Sequence, residues 1–253
     1  MAGGYGKYLS ETYDTLNSDI DYEKWANFYQ ACFEKYANTK VKHICEMACG
    51  TGSMAVIFGK RGYNVTAFDL SEVMLTLADK KVQDAGLDNV RLTLQDMRSF
   101  KVYSKAQGLV CMLDSLNCLM DNNALSEAFE CAYTALDDGG VFIFDVISKY
   151  KFENVYGDNA YVLEDEKVLL AWQNFYNKNT KKCDLYLTFF LEDEDGRYTR
   201  FDEHNRQKLH VTRTLDKLLC EAGFKVEAKV SDFDFTDADE NRDERIYYIC
   251  TKN

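Results

Sequence analysis

The chain has 253 residues, 46% of them hydrophobic and 28% charged, with 17 tyrosines and 16 phenylalanines; this suffices for one large domain or two small ones and excludes a disordered chain. A net charge of −12 argues against a grip on nucleic acid, which rests on clustered Lys and Arg. No apolar run approaches the ~18 residues of a membrane span, and the first residues lack the apolar stretch of a secretory signal, so the sequence reads as a cytoplasmic protein.

From Asp21 to Tyr36, apolar and aromatic residues recur at three and four, which predicts an amphipathic helix packed on the main body. A repeating rhythm follows: strand 42–48, glycine turn, helix 53–61, strand 63–69, helix 71–85, strand 90–95, strand 107–113, helix 122–136 and strand 140–147. Ser71 is placed to cap one of these helices and Gly86 to end it. Asp137-Asp138-Gly139-Gly140 reads as a turn into the next strand. Strands alternating with helices predict a parallel sheet covered on both faces. From about 150 to 209 the pattern changes to long aromatic runs such as CDLYLTFFLED, which predict antiparallel strands inserted as a lid, substrate or dimerisation subdomain. The first rhythm then resumes with a helix from Thr212 to Gly223 and strands at 224–230 and 245–251, separated by an acidic loop expected to be solvated. Residues 1–149 and 210–253 would form the main domain around an insertion spanning 150–209.

Nine cysteines without CxxC pairs read as buried, reduced thiols. With all three histidines far from Cys45 and Cys49, no metal site is expected. Proline is absent, so Gly, Asn and Asp must form the turns, and nothing in the sequence explains that absence.

The stretch EMACGTGSMA, residues 46–55, joins a strand to a helix. Its Gly50-x-Gly52-x-x-Ala55 spacing lets backbone approach a nucleotide-like ligand. Asp69 stands seventeen residues after Gly52, at the end of the second strand, where a carboxylate can accept the hydroxyls of a ribose. Glu46, Asp69, Asp96 and Asp114 thus place an acid at four successive strand ends, the edge at which open α/β sheets bind ligands. Four carboxylates would repel the pyrophosphate of a dinucleotide and attract a ligand with a ribose, an ammonium and a sulfonium. S-adenosylmethionine meets that description.

On these residues, E-x-A-C-G-T-G, F-D-L-S, Q-D-M and L-D-S-L-N, the stretch from about 13 to 147 resembles the class I S-adenosylmethionine-dependent methyltransferases. YDTLNSDIDYEKWANF and RFDEHNRQKLH resemble, within them, a bacterial small-methyltransferase group of mostly unassigned substrate related to glycine and sarcosine N-methyltransferases. The resemblance implies an α/β fold with a Rossmann-like, doubly wound, mostly parallel seven-stranded sheet and an inserted antiparallel β subdomain. It implies that Glu46 and the backbone from Ala48 through Gly50 to Gly52 hold the methionine portion of S-adenosylmethionine, Asp69 the ribose, and Asp96 with Met97 the adenine. Leu70 and Met74 would sandwich that ring, Leu113 and Asp114 would line the methyl-transfer end, and Tyr13 and Trp25 would cover the cofactor. The chain departs from the group at Asp138, where Pro is common, and at Gln207-Lys208-Leu209-His210, where Gln-Arg-x-Tyr is common.

Transfer from a sulfonium is an in-line displacement that depends on orientation and exclusion of water. A neutral amine needs no base, whereas an oxygen acceptor of high pKa does. Asp114, Asn117 and Tyr13 are the candidate catalytic residues, joined by His204, Arg206 or His210 if the insertion folds over the site. The expected activity is methyl transfer to a small polar acceptor such as an amine, in a monomer or homodimer with no nucleic-acid or membrane partner. A cofactor-binding protein without turnover and a protein or RNA methyltransferase are the alternatives.

Overall fold

The structure, a computed structural model, describes residues 6–165 and 167–252. Two helices, α1 (Lys7–Leu16) and α2 (Tyr22–Tyr36), precede the first strand. The main rhythm then runs β1 (His43–Met47), α3 (Ser53–Lys60), β2 (Asn64–Asp69), α4 (Glu72–Asp84), β3 (Val90–Leu94), β4 (Ala106–Cys111), α5 (Asn122–Ala135) and β5 (Leu136–Ile147). A π-helical turn at Lys151–Tyr156 leads into β6 (Ala160–Asp165), β7 (Val168–Asn177), β8 (Lys182–Glu192) and β9 (Tyr198–Lys208). The chain closes with α6 (Thr212–Ala222), β10 (Phe224–Val230) and β11 (Arg245–Lys252).

Seven strands form one sheet in the order β10-β11-β5-β4-β1-β2-β3. Neighbours from β5 to β3 are parallel, and β11 runs antiparallel to both β5 and β10. Central parallel strands are buried on both faces and so read as continuous apolar runs; β1, HICEM, is buried from Ile44 to Met47. One face packs under α5 and α6 through Phe129, Phe142, Phe144, Leu215 and Tyr248. The other packs under α2 and α3 through Phe28, Tyr29, Ile44, Phe58 and Ile249.

The helix signals in the sequence have physical counterparts. Asp21 accepts from the Lys24 N–H at 3.0 Å, Ser71 from Met74 at 3.3 Å and Asp121 from Ala124 at 2.9 Å, each satisfying a backbone donor that the first helical turn leaves free. Gly223, at φ +101°, ends α6 in the left-handed conformation that glycine adopts without a steric penalty. The expected turn at 137–140 is instead a bulge inside β5: pairing jumps from Ala106↔Leu136 to Gly108↔Val141, with Gly139 at φ +77°.

The second sheet is an antiparallel meander, β6-β7-β8-β9. Its inner face, with Leu170, Leu187 and Phe189, receives Tyr8, Leu9 and Leu16 of α1. Glu203 on β9 accepts from the backbone N–H groups of Tyr8 at 2.6 Å and Leu9 at 3.3 Å, and Tyr8 stacks on Phe201 at 3.7 Å. The segment 231–244 is more than a solvated loop: Phe233 packs against Trp25 and Phe28, with ring centroids 5.3 and 5.0 Å apart.

Candidate active site

Side-chain alternation and the common polarity of β1 to β4 bring four strand ends to one edge of the sheet. A cavity of about 480 Å³ opens there, a size suited to a cofactor-sized ligand. Its wall begins at the turn after β1. Ala48, Gly50 and Gly52 have φ of +53°, +54° and +74°, so the turn is wound through a conformation disfavoured for residues with a Cβ. Gly50 lines the cavity and donates its N–H to Asp69 Oδ2 at 2.9 Å. Gly52 does not line it; a Cβ there would lie 2.8 Å from Ala78 Cβ, so this glycine lets α3 start tight against α4.

Asp69 is held from both sides, since its Oδ1 accepts from the Ser71 N–H at 2.9 Å. Burial raises its pKa, and these backbone donors pull the other way. Glu46, one strand over, is 2% exposed and lines the same wall. Burial first, then the nearby Asp69 carboxylate, pushes its pKa up to about 8. Its Oε2 is buried without a hydrogen-bond partner among the described residues. Asp96, at the far rim, is held below the usual carboxylate range by Arg98, which donates to both of its oxygens. Met97, Leu70 (43% exposed), Ala48 and Leu113 complete the expected lining, joined by Tyr13 of α1. Burial raises the Tyr13 phenol, with Tyr22 and Asp114 adding to the effect.

Five expected site residues lie elsewhere. Trp25 packs in an aromatic cluster with Tyr29, Phe233 and Tyr247, because the returning loop brings phenyl rings onto α2. Met74 is buried in α4 beneath the Gly50 backbone. Gly52 is taken up by helix packing, as described. Asp114 stands between two lining residues, Leu113 and Ser115, yet it and Leu113 have φ of +53° and +51°, which turns its carboxylate outward. There Oδ1 accepts from Arg245 Nη2 at 2.8 Å and Oδ2 from Gln207 Nε2 at 2.7 Å. Arg245 also pairs with Asp145; burial disfavours its charge, but the carboxylates of Asp145 and Asp114 outweigh this and raise its pKa. Asn117 is fully buried, donating Nδ2–H to the Lys208 carbonyl at 2.8 Å and accepting from the Ile147 N–H at 3.0 Å. Both of its polar atoms are thus engaged by backbone.

The candidates His204 and Arg206 of the insertion, and His210 just after it, also stand away from the cavity. His204 and Arg206 both bind Asp184, at 2.8 and 2.7 Å, and His204 stacks on Tyr186. His210 is buried, and burial, reinforced by Lys208, lowers its pKa to about 4. Conversely, Tyr22, Thr51, Ser53, Ser115, Cys118 and Asp121 line the cavity without having been singled out. Thr51 alone carried a readable signal, sitting inside the glycine turn: its hydroxyl donates to Asp14 at 2.6 Å, and Lys81 bridges Asp14, Thr51 and Ser53 at 2.6, 2.9 and 2.8 Å.

Such a sheet order, with a glycine turn after β1 and acids at the following strand ends, defines a Rossmann-like fold with a cofactor-binding edge. A methyltransferase-domain family matches residues 44–140. A protein of Geobacillus sp. (strain WCH70) named as a methyltransferase is 31% identical over 240 residues, covering 95% of this chain and 96% of that one. The crystal structure of an S-adenosylmethionine-dependent methyltransferase from Clostridium acetobutylicum ATCC 824 superposes with a TM-score of 0.86 at 29% identity, covering 97% of both chains. Over 102 residues, 40% of this chain and 41% of the other, the sequence is 32% identical to a Streptomyces venezuelae dTDP-3-amino-3,4,6-trideoxy-α-D-glucopyranose N,N-dimethyltransferase. The chain belongs to the class I S-adenosylmethionine-dependent methyltransferases, and S-adenosylmethionine is its cofactor. No helix among the described residues is long and apolar enough to cross a membrane.

Proposed function

We propose that the protein methylates a nitrogen of a small-molecule acceptor. The observation that carries this reading is that the described cavity-lining carboxylates are already engaged: Glu46, Asp69 and Asp96 fall to the cofactor in this reading, and Asp121 caps α5 through the Ala124 N–H, which holds its pKa low. Tyr13 holds its proton because its phenol is raised by burial. Asp114 is occupied by Arg245 and Gln207, and no histidine lines the wall. A hydroxyl acceptor would need a proton removed as it attacks; a neutral amine brings its own lone pair.

In this reading Glu46, whose side chain lines the cavity, pairs with the cofactor's ammonium. Asp69 accepts the ribose hydroxyls, Asp96 and Met97 take the adenine edge and face, and Leu70 covers the ring from the other side. Bound there, S-adenosylmethionine supplies an electrophilic methyl group on a sulfonium. The chain's own residues orient and enclose it: Leu113 and Tyr13 wall the reacting end and exclude water. On the acceptor side, α1 contributes Tyr13, and the inserted sheet acts through α1, which it holds by Glu203 and Phe201. The amino-sugar acceptor in the name of the Streptomyces relative agrees with an amine, and the charge of −12 disfavours RNA.

The test is transfer of a labelled methyl group from S-adenosylmethionine to a panel of small primary amines and their hydroxyl counterparts. Label in amines alone is the expected result. Label in hydroxyl compounds alone overturns the choice of nitrogen, and cofactor binding without transfer to any member of a broad panel favours a binder without turnover.

A further inference from the structure

Glu46 is an unusual cofactor ligand because of what surrounds it. It ends β1, which lies between β2 and β4 at the centre of the sheet. Oε2 has no partner among the described residues, and a buried carboxylate without a counter-ion or hydrogen bond is costly. Among the described residues lining the cavity, the sole cation is Arg98, and Asp96 occupies it on the far rim. Lys81, behind the glycine turn, is paired with Asp14 and donates to Thr51 and Ser53.

The groups facing Glu46 from each packed element are acidic or neutral. Asp69 comes from the end of β2, and its charge raises the Glu46 pKa. Cys45 and Cys49 belong to its own strand and turn, Cys111 to β4 and Tyr22 to α2. Burial pushes Cys45 and Tyr22 up to about 12 and the other two thiols well upward, so all four stay protonated at neutral pH. Among the described residues, no cation offsets the upward shift of Glu46 before the ligand arrives.

We infer that Glu46 is a neutral carboxylic acid in the free protein and that capture of the ligand's α-ammonium beside it expels one proton to solvent. The ion pair then forms on arrival, and the site selects a ligand with an ammonium at that position over one that shares only its adenosine part. This inference rests on the methionine end of the cofactor lying at Glu46. The proton is the only group transferred; it leaves the Glu46 carboxyl for buffer, and no bond of the ligand changes.

Calorimetric titration of the whole protein with S-adenosylhomocysteine, in buffers of different ionisation enthalpy, counts the proton. With Glu46 titrating near 8, about 0.9 proton should leave per ligand bound at pH 7, and Kd should fall about ninefold between pH 6 and pH 7. The probe 5′-methylthioadenosine, which keeps adenine and ribose but lacks the ammonium, should bind with no release and no such slope. Glu46→Gln should bind S-adenosylhomocysteine without proton release. If that variant fails to bind or to fold, infrared difference spectra of the unaltered protein read the same event, as loss of a protonated-carboxyl band on adding S-adenosylhomocysteine. Tight binding with no proton released overturns the inference, and so does equal release by both probes, which would assign the proton to Asp69. Absence of any S-adenosylhomocysteine binding would instead overturn the placement of the cofactor.

Discussion

Replacing Asn117 with Ala should destabilise the fold without touching the chemistry directly. The side chain is fully buried and clamps two backbone groups from distant parts of the chain, the Ile147 N–H at the end of β5 and the Lys208 carbonyl at the end of β9. Its removal leaves the fully buried Ile147 donor unpaired, at a cost of about 2 kcal/mol, and the partly buried Lys208 acceptor unpaired, at about 1 kcal/mol, within the range for orphaned buried groups. A loss of about 3 kcal/mol should move the urea midpoint by about 1 M or more for a slope of ~2–3 kcal/mol per molar. Asn117→Asp keeps the acceptor but turns a buried negative charge toward the Lys208 carbonyl, and should be no more stable than Asn117→Ala. Urea unfolding gives the stability, and calorimetry with S-adenosylhomocysteine well below the midpoint gives cofactor affinity, expected to change less than threefold. Wild-type stability in Asn117→Ala combined with lost methyl transfer would refute this reasoning and restore Asn117 to a catalytic role.

Gly52→Ala combines a positive φ with a Cβ 2.8 Å from Ala78 Cβ; strain of ~1 kcal/mol and overpacking of ~1–3 kcal/mol should show as a lower Tm and weaker S-adenosylhomocysteine binding. Arg245→Met leaves Asp114 and Asp145 facing each other without their cation and should cost about 3–5 kcal/mol; adding Asp145→Asn should recover part of it in a double-mutant cycle by urea unfolding. For Glu46, the folded-state pKa of about 8 lies above the ordinary 4.5, so the folded protein holds a proton that the unfolded chain releases. Its contribution therefore favours folding least at high pH: cofactor-free stability should decline by a few kcal/mol as pH rises from about 4.5 to 8. Glu46→Gln should flatten that decline in unfolding curves at pH 5 and pH 8.

The main sheet was legible because its information is local. Two-sided burial makes β1 and β4 continuous apolar runs, and a cap such as Ser71 marks a helix start within a few residues. Glu46, Asp69 and Asp96 were legible for a related reason: parallel strands of common polarity bring their last residues to one edge. What stayed hidden depends on partners far along the chain. Helix α1 takes its N-terminal hydrogen bonds from Glu203, 195 residues away from Tyr8. Asp114 is neighbour to two lining residues, but left-handed backbone at Leu113 and Asp114 delivers its carboxylate to Arg245, 131 positions later. The position of Trp25 on the inner face of α2 is written in helical periodicity. That Phe233 and Tyr247, rather than the cofactor, meet its ring is set by the return of the chain through 231–244.

The double attachment of α1 bears on how acceptor preference could be transplanted. One end of this helix is held by Glu203 and Phe201 of the inserted sheet, the other by Asp14 against Thr51 and Lys81 beside the glycine turn. A chimera that imports a foreign 150–209 segment alone would strip α1 of its terminal hydrogen bonds and its stacking partner, and the wall carrying Tyr13 would lose its anchor. The smallest exchangeable cassette is therefore discontinuous, consisting of the first seventeen residues together with the insertion.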